Sequence, residues 1–124
     1  MCGLVAIFAH GQDVRLVDPM EMIRIRDAMR ARGPDGDGAW MGAYGRVVMG
    51  HRRLSIIDPS PAGAQPMVSG EGKDETAIVF NGEIYNYRAL RKRLEGQGVR
   101  FRSGSDTEVV LEMYRREGPA MLAS

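Results

Sequence analysis

The sequence predicts a small α+β domain, and three observations carry that expectation. Short apolar runs of strand character lie at 3–8, 46–51 and 76–80. Two capping boxes, Asp18-Pro19-Met20-Glu21 and Ser105-Asp106-Thr107-Glu108, each open a stretch with apolar residues at helical spacing. At 124 residues, with 44% hydrophobic and 27% charged side chains, the chain has the balance of one globular domain with a real core.

The first strand, Gly3-Leu4-Val5-Ala6-Ile7-Phe8, is apolar enough to be buried, and His10-Gly11-Gln12-Asp13 ends it as a polar turn. Asp18 then caps a helix, with Pro19 at its first position and Glu21 at the capping-box position. Met22, Ile25 and Met29 follow at helical spacing until Gly33-Pro34 stops them. The turn Gly33-Pro34-Asp35-Gly36 leads to a short strand near Ala39 to Met41. Tyr44-Gly45 is a hairpin turn before the better strand from Arg46 to His51. Residues 54–74, with Pro59, Pro61, Pro66, Gly63, Gly70 and Gly72, read as a long excursion, and such loops are usually functional or disordered. Their first part, Leu54-Ser55-Ile56-Ile57, is too apolar for solvent and should be ordered against the body. Thr76 to Phe80 is a strong buried strand that breaks at Asn81-Gly82. A helix capped by Asn86 starts at Tyr87 and runs to Glu95 or nearby. The last helix carries Val109, Val110, Met113 and Tyr114 before Gly118-Pro119 ends it.

Bulk properties exclude several function classes. The formal net charge is +1, so nothing global points to nucleic acid or to a membrane surface. One cysteine rules out an internal disulfide, and with only His10 and His51 beside it no metal site is expected. The longest apolar run is far too short for a bilayer, so the expected setting is a reducing compartment, the cytoplasm. The 9 methionines are scattered and read as core filler.

The single cysteine stands at position 2, directly behind the start methionine. A small residue there usually lets the methionine be trimmed, which would leave Cys2 with a free α-amino group. That amine, with an ordinary pKa of roughly 7.7–8.0, could take the thiol proton and later give it to a leaving group. The plainer alternative is a stray cysteine near a frayed terminus. Asn81-Gly82 also has two readings: a type I′ turn, or an amide NH₂ beside a glycine N–H that together hold a developing oxyanion. Arg52-Arg53 is either a solvated pair or a strand-end clamp for a small carboxylate. Asp106 either serves the helix dipole or meets an ammonium group. Together, Cys2, Arg53, Asn81-Gly82-Glu83 and Asp106 supply a nucleophile, a carboxylate clamp, an oxyanion hole and acidic partners for an amine. A free amino acid with a reactive side-chain carbonyl fits that set, and glutamine matches it.

Six runs carry a resemblance to a known family. They are Met1-Cys2-Gly3, Arg32-Gly33-Pro34-Asp35, Gly50 to Asp58, Ala64-Gln65-Pro66-Met67, Asn81 to Asn86, and Ser103 to Glu108. In this order they resemble the glutaminase domain of glutamine-hydrolysing asparagine synthetases, a branch of the class II glutamine amidotransferases. The resemblance covers residues 2 to about 119, and residues 1–124 are accordingly expected to form an amidotransferase type 2 domain, or its N-terminal part. It implies an N-terminal-nucleophile hydrolase fold, with two stacked antiparallel sheets between helical layers. It implies Cys2 as nucleophile, with Asn81 and Gly82 as the oxyanion hole. Glutamine would be held by Arg53 at its α-carboxylate and by Asp106 and Glu83 at its amino side, with Leu54, Ser55, Ile56 and Ile57 lining the pocket.

The family usually has a histidine where this chain has Ala31, a departure expected to be structural. The family also continues, past the position of Ser124, into further strands and an ATP-dependent synthetase domain. The expected partners are therefore L-glutamine and a C-terminal synthetase domain of the same polypeptide, with a homodimer left open. No cofactor is expected in this chain, ATP and Mg²⁺ belonging to the synthetase domain. The 124 residues alone should be a fragment of marginal stability and weak activity. Two rivals stay open: an ammonia donor serving an acceptor other than aspartate, and a non-catalytic binding module or inert fragment.

Overall fold

The computed structural model describes residues 1–11, 15–42 and 44–123. They fall into two compact units, one of residues 1–55, 64–66 and 79–81 and the other of 56–63, 67–78 and 82–124. Both are α+β, and each contains one antiparallel sheet.

The first unit is built on three strands, β1 (Gly3–Phe8), β2 (Gly36–Met41) and β3 (Val47–Arg53), with β3 in the centre. Gly3 pairs with Arg52 on one side of β3, and Gly36 pairs with Arg53 on the other. The β2–β3 connection closes on the Gly45 N–H, which donates to the Gly42 carbonyl at 2.9 Å. Gly45 takes φ +62°, a conformation that favours glycine. One helix, α1 (Pro19–Ala28), packs on this sheet. Asp18 caps it as expected, its Oδ1 accepting the Met20 N–H at 2.8 Å. Glycines let the helix come close. A Cβ on Gly50 would run into the sulfur of buried Met22, and one on Gly3 would meet Met29 at 2.9 Å. Burying Met22 fully contributes on the order of 1.5–3 kcal/mol.

Several expectations need correction here. β1 is half-buried rather than buried: inward residues alternate with outward ones, and Phe8 is 63% exposed. Its alternation puts Leu4, Ala6 and Phe8 on the face away from α1. Ile25 also points outward, so α1 buries a narrower stripe than its spacing suggests. β2 begins at Gly36, earlier than expected, because its pairing with β3 extends to Arg53. Gln12 and Asp13 of the expected polar turn lie outside the described residues.

The second unit is organised by two helices, α2 (Tyr87–Gly96) and α3 (Asp106–Glu117). Leu94, Val109 and Met113 form their buried core, flanked by Tyr87, Leu90, Val99, Phe101 and Met121. Ser105 caps α3 by accepting the Thr107 N–H at 3.2 Å. Buried Glu108 does not complete a reciprocal box; its two carboxylate oxygens instead accept the N–H groups of Arg102 at 2.9 Å and Ser103 at 2.7 Å. Asn86 occupies the cap position of α2, but no side-chain capping bond forms there. Gly118 ends α3 at φ +58° as expected.

The long excursion holds an unexpected strand. β4 (Met67–Ser69) pairs with β5 (Thr76–Ile78), so Met67 faces Ile78 and Ser69 faces Thr76. β5 is shorter than the apolar run 76–80 and only half-buried. It stops because Phe80 leaves the ladder: its N–H donates to Gln65 Oε1 at 2.6 Å instead of to a strand. Among the described residues no helix is long and apolar enough to cross a membrane.

Candidate functional site

Cys2 immediately precedes β1, and strand alternation turns its side chain to the face opposite α1. There the sulfur meets the peptide of Leu54, the first residue after β3. The Leu54 N–H donates to Sγ at 3.3 Å, and the thiol can donate to the Leu54 carbonyl at 3.6 Å. The Cys2 carbonyl accepts from Arg32 Nε at 3.3 Å. These contacts hold a half-buried thiol at the end of the sheet, and the frayed-terminus alternative does not describe it. Met1, by contrast, is 76% exposed.

The next peptide is fixed as well, since Ser55 N–H donates to Asp35 Oδ2 at 2.8 Å. Gly33 makes this approach of the 33–35 turn feasible: a Cβ there would collide with the Arg52 carbonyl. Asp35 N–H in turn donates to the Arg53 carbonyl at 3.0 Å. Thus the Arg32-Gly33-Pro34-Asp35 turn braces the end of β3, where Arg53 and Leu54 stand.

The two adjacent arginines separate cleanly. Arg52 lies on the α1 face and is buried, so a solvated pair is the wrong description. It reaches Asp37 at 3.3 Å and Asp27 at 3.8 Å, while Arg26 holds Asp37 at 2.8 Å and Asp27 at 2.9 Å. The Arg26 hydrogen bond keeps the Asp27 carboxyl below the usual aspartate range. Arg53, half-buried, lies on the other face with Gly38 and His51. His51 is fully buried and neither ring nitrogen has a hydrogen bond of standard geometry among the described residues. Burial pushes its pKa down from 6.5, more than the nearby Phe80 backbone raises it.

Asn81 follows Phe80 and is exposed. Asn81-Gly82 is not a type I′ turn: that turn needs positive φ at both central residues, and neither residue has it. Cys2, Arg53, Leu54, Ser55 and Asn81 therefore belong to the first unit. Ile56, Ile57, Gly82, Glu83 and Asp106 belong to the second. Ile56 is 74% exposed, against the expectation that its apolar run is ordered away from solvent, whereas Leu54 and Ile57 are half-buried. In the second unit Asp106 is buried at the first turn of α3, and its Oδ2 accepts the Ile84 N–H at 3.0 Å. That bond ties the 82–84 loop, with exposed Gly82 and Glu83, to the helix start. Asp58 acts similarly: one oxygen accepts the Ser60 N–H at 2.9 Å and the other the Gly104 N–H at 2.7 Å.

Three of these side chains, Asp35, Asp58 and Gln65, have no role assigned by the sequence alone. Each lies inside one of the recognisable runs, yet each accepts a backbone N–H 15 to 46 positions away. Only the fold reveals such bonds.

The family described as "Glutamine amidotransferase domain" matches residues 1–124. Among curated proteins, asparagine synthetase [glutamine-hydrolyzing] 1 of Bacillus subtilis is 45% identical over 117 residues, covering 93% of this chain and 18% of that protein. Asparagine synthetase B [glutamine-hydrolyzing] of Escherichia coli is 38% identical, covering 98% of this chain and 21% of its own length. A probable asparagine synthetase [glutamine-hydrolyzing] of Schizosaccharomyces pombe is 38% identical over 97% of this chain and 20% of its own length. The chain thus spans about a fifth of the length of the curated relatives it matches. With a match from the first residue to the last, the chain belongs to the glutamine amidotransferase domain family.

Proposed function

We propose that this domain hydrolyses glutamine to glutamate and ammonia through a γ-glutamyl thioester on Cys2. The observation that carries the proposal is the seat of the sulfur against the Leu54 peptide, at the end of the strand that presents Arg53. Once Met1 is removed, the Cys2 amine takes the thiol proton and Sγ attacks the carboxamide carbon. The Asn81 side-chain NH₂ and the Gly82 N–H stabilise the oxyanion of the tetrahedral intermediate. The C–N bond breaks as the amine returns its proton to departing ammonia, and water then hydrolyses the thioester to glutamate. Arg53 grips the α-carboxylate with its planar fork, Asp106 and Glu83 take the α-ammonium, and Leu54, Ser55, Ile56 and Ile57 line the pocket.

The same reading gives the chain the stacked two-sheet, N-terminal-nucleophile hydrolase architecture, which the two antiparallel sheets and the family membership support. It makes residues 1–124 a type 2 amidotransferase domain that works with a C-terminal synthetase domain in the cytoplasm. There the ammonia would attack an ATP-activated carboxylate, that of aspartate, with ATP and Mg²⁺ bound outside this chain. The names and lengths of the matched relatives support that assignment.

Mass spectrometry of the N-terminus alongside a glutamine hydrolysis assay tests it. Activity should appear only in protein that has lost Met1. Full activity with an intact methionine would remove the amine from the mechanism.

A further inference from the structure

The Ala64-Gln65-Pro66 segment is one of the recognisable runs, and the mechanism above gives it no task. It sits in the first unit with residues 79–81. Gln65 joins two parts of that unit. Its carbonyl presses on Gly38 of β2 so closely that any Cβ on Gly38 would collide with it. Its side-chain Oε1 accepts the Phe80 N–H at 2.6 Å, in a half-buried setting. Phe80 has left the β5 ladder by then, so this amide is the bond that replaces a strand partner. The residue carried by the next peptide is Asn81. An exposed residue just past a strand end has little packing of its own to fix its backbone. An oxyanion donor, however, works only if its direction is set before the charge develops.

We propose that Gln65 is a positioning residue that fixes the Phe80 peptide against the β2–β3 sheet and thereby aims the Asn81 amide at the reacting carbonyl. This inference rests on the glutaminase reading and adds to it the residue that preorganises one of its oxyanion donors. Gln65 touches no reacting atom. A failure of aim should slow the chemical step and leave glutamine binding largely alone, because Arg53 and Asp106 make the binding contacts.

Three variants of the active chain test this: Gln65→Met, which keeps size and loses the acceptor; Gln65→Glu, which keeps an acceptor oxygen; and Asn81→Ala. Gln65→Met should lower kcat roughly 10- to 100-fold, within the loss a misplaced group about 1 Å out of line can cause. KM should change less than about threefold, while Gln65→Glu should restore most of kcat. In the Asn81→Ala background Gln65→Met should cost almost nothing further, because the group it aims is gone. The Phe80 amide should also exchange with solvent faster in Gln65→Met than in the parent, a readout that needs no turnover. Unchanged Phe80 protection, a loss that appears in KM alone, or an additive loss with Asn81→Ala overturns the proposal. If Gln65→Met does not fold, Gln65→Glu decides: activity near the parent's supports the role, and a deep loss in a folded Gln65→Glu overturns it. Failure of the underlying reading looks different, since Asn81→Ala alone would then leave kcat intact.

Discussion

The two faces of the β1-β3-β2 sheet are made of neighbouring residues and are put to opposite uses. On one face α1 covers Gly3, Gly50 and Val48, and the buried charge of Arg52 is surrounded by Asp27, Asp37 and Arg26. On the other lie Cys2, His51 and Arg53, with Gln65 drawn against Gly38 and bonded to the Phe80 N–H. The first face pairs its charges internally, although Arg52 Nε has no hydrogen-bond partner among the described residues. The second carries the half-buried thiol and guanidinium of Cys2 and Arg53 beside the buried imidazole of His51. Adjacent arginines separated by one peptide thus differ in setting: Arg52 is held by ion pairs within the fold, and Arg53, on the opposite face, is the one proposed to meet the substrate.

The sharpest way to break this comparison is at Cys2, the proposed nucleophile. Cys2→Ala should take glutamine hydrolysis to background while leaving the melting temperature close to the parent's, because the sulfur only adds to contacts that the backbone already makes. Asn81→Ala should come next, with a loss of about 10²–10³ in kcat, the usual effect of removing one oxyanion donor. Steady-state kinetics with glutamine checks both.

The arginines give the next pair of tests. Arg53→Lys keeps the charge and loses the fork, so KM for glutamine should rise roughly 10–100-fold, matching the 1.5–3 kcal/mol of a charged hydrogen bond. Its thermal stability should hardly move. On the other face Asp37→Ala leaves buried Arg52, among the described residues, with Asp27 at 3.8 Å as its acidic partner, and stability should fall by up to about 3 kcal/mol. Arg52→Met should be milder, since Asp37 and Asp27 keep Arg26 as partner and the cavity stays filled. Chemical denaturation and kinetics measured on the same samples separate the two classes.

The smallest expected effect concerns His51. Burial depresses its pKa, so the fold keeps it neutral while the unfolded chain takes up a proton near pH 6.5. Its share of stability is therefore complete above that pH and is lost as pH falls from 6.5 through the lower folded value. His51→Leu should flatten this limb of the stability profile, read as denaturation midpoints between pH 5 and pH 8.

Much of the fold was legible in the sequence because it depends on local rules. Asp18 and Ser105 sit at helix starts for the reason any short polar side chain does, and Gly118 ends α3 through its positive φ. Non-local features were not legible. Met67-Val68-Ser69 is too short to show a period and becomes a strand only because 76–78 comes to lie beside it. Glu108 occupies a capping-box position, but the N–H groups of Arg102 and Ser103 lie within its reach and take its oxygens instead. The division of labour between Arg52 and Arg53 also depended on which face α1 covers, which adjacency in sequence does not reveal. Of the candidate site, the seat of Cys2 against Leu54 needed the pairing of β1 with β3 before it could be seen.

The most direct test of the central claim is covalent labelling by a glutamine analogue that carries an electrophile in place of the amide, followed by peptide mass spectrometry. The account predicts one adduct, on the sulfur of an N-terminal Cys2, formed in the native protein, slowed by glutamine and absent from Cys2→Ala. Labelling that proceeds equally in native and denatured protein, or that glutamine does not slow, would contradict it.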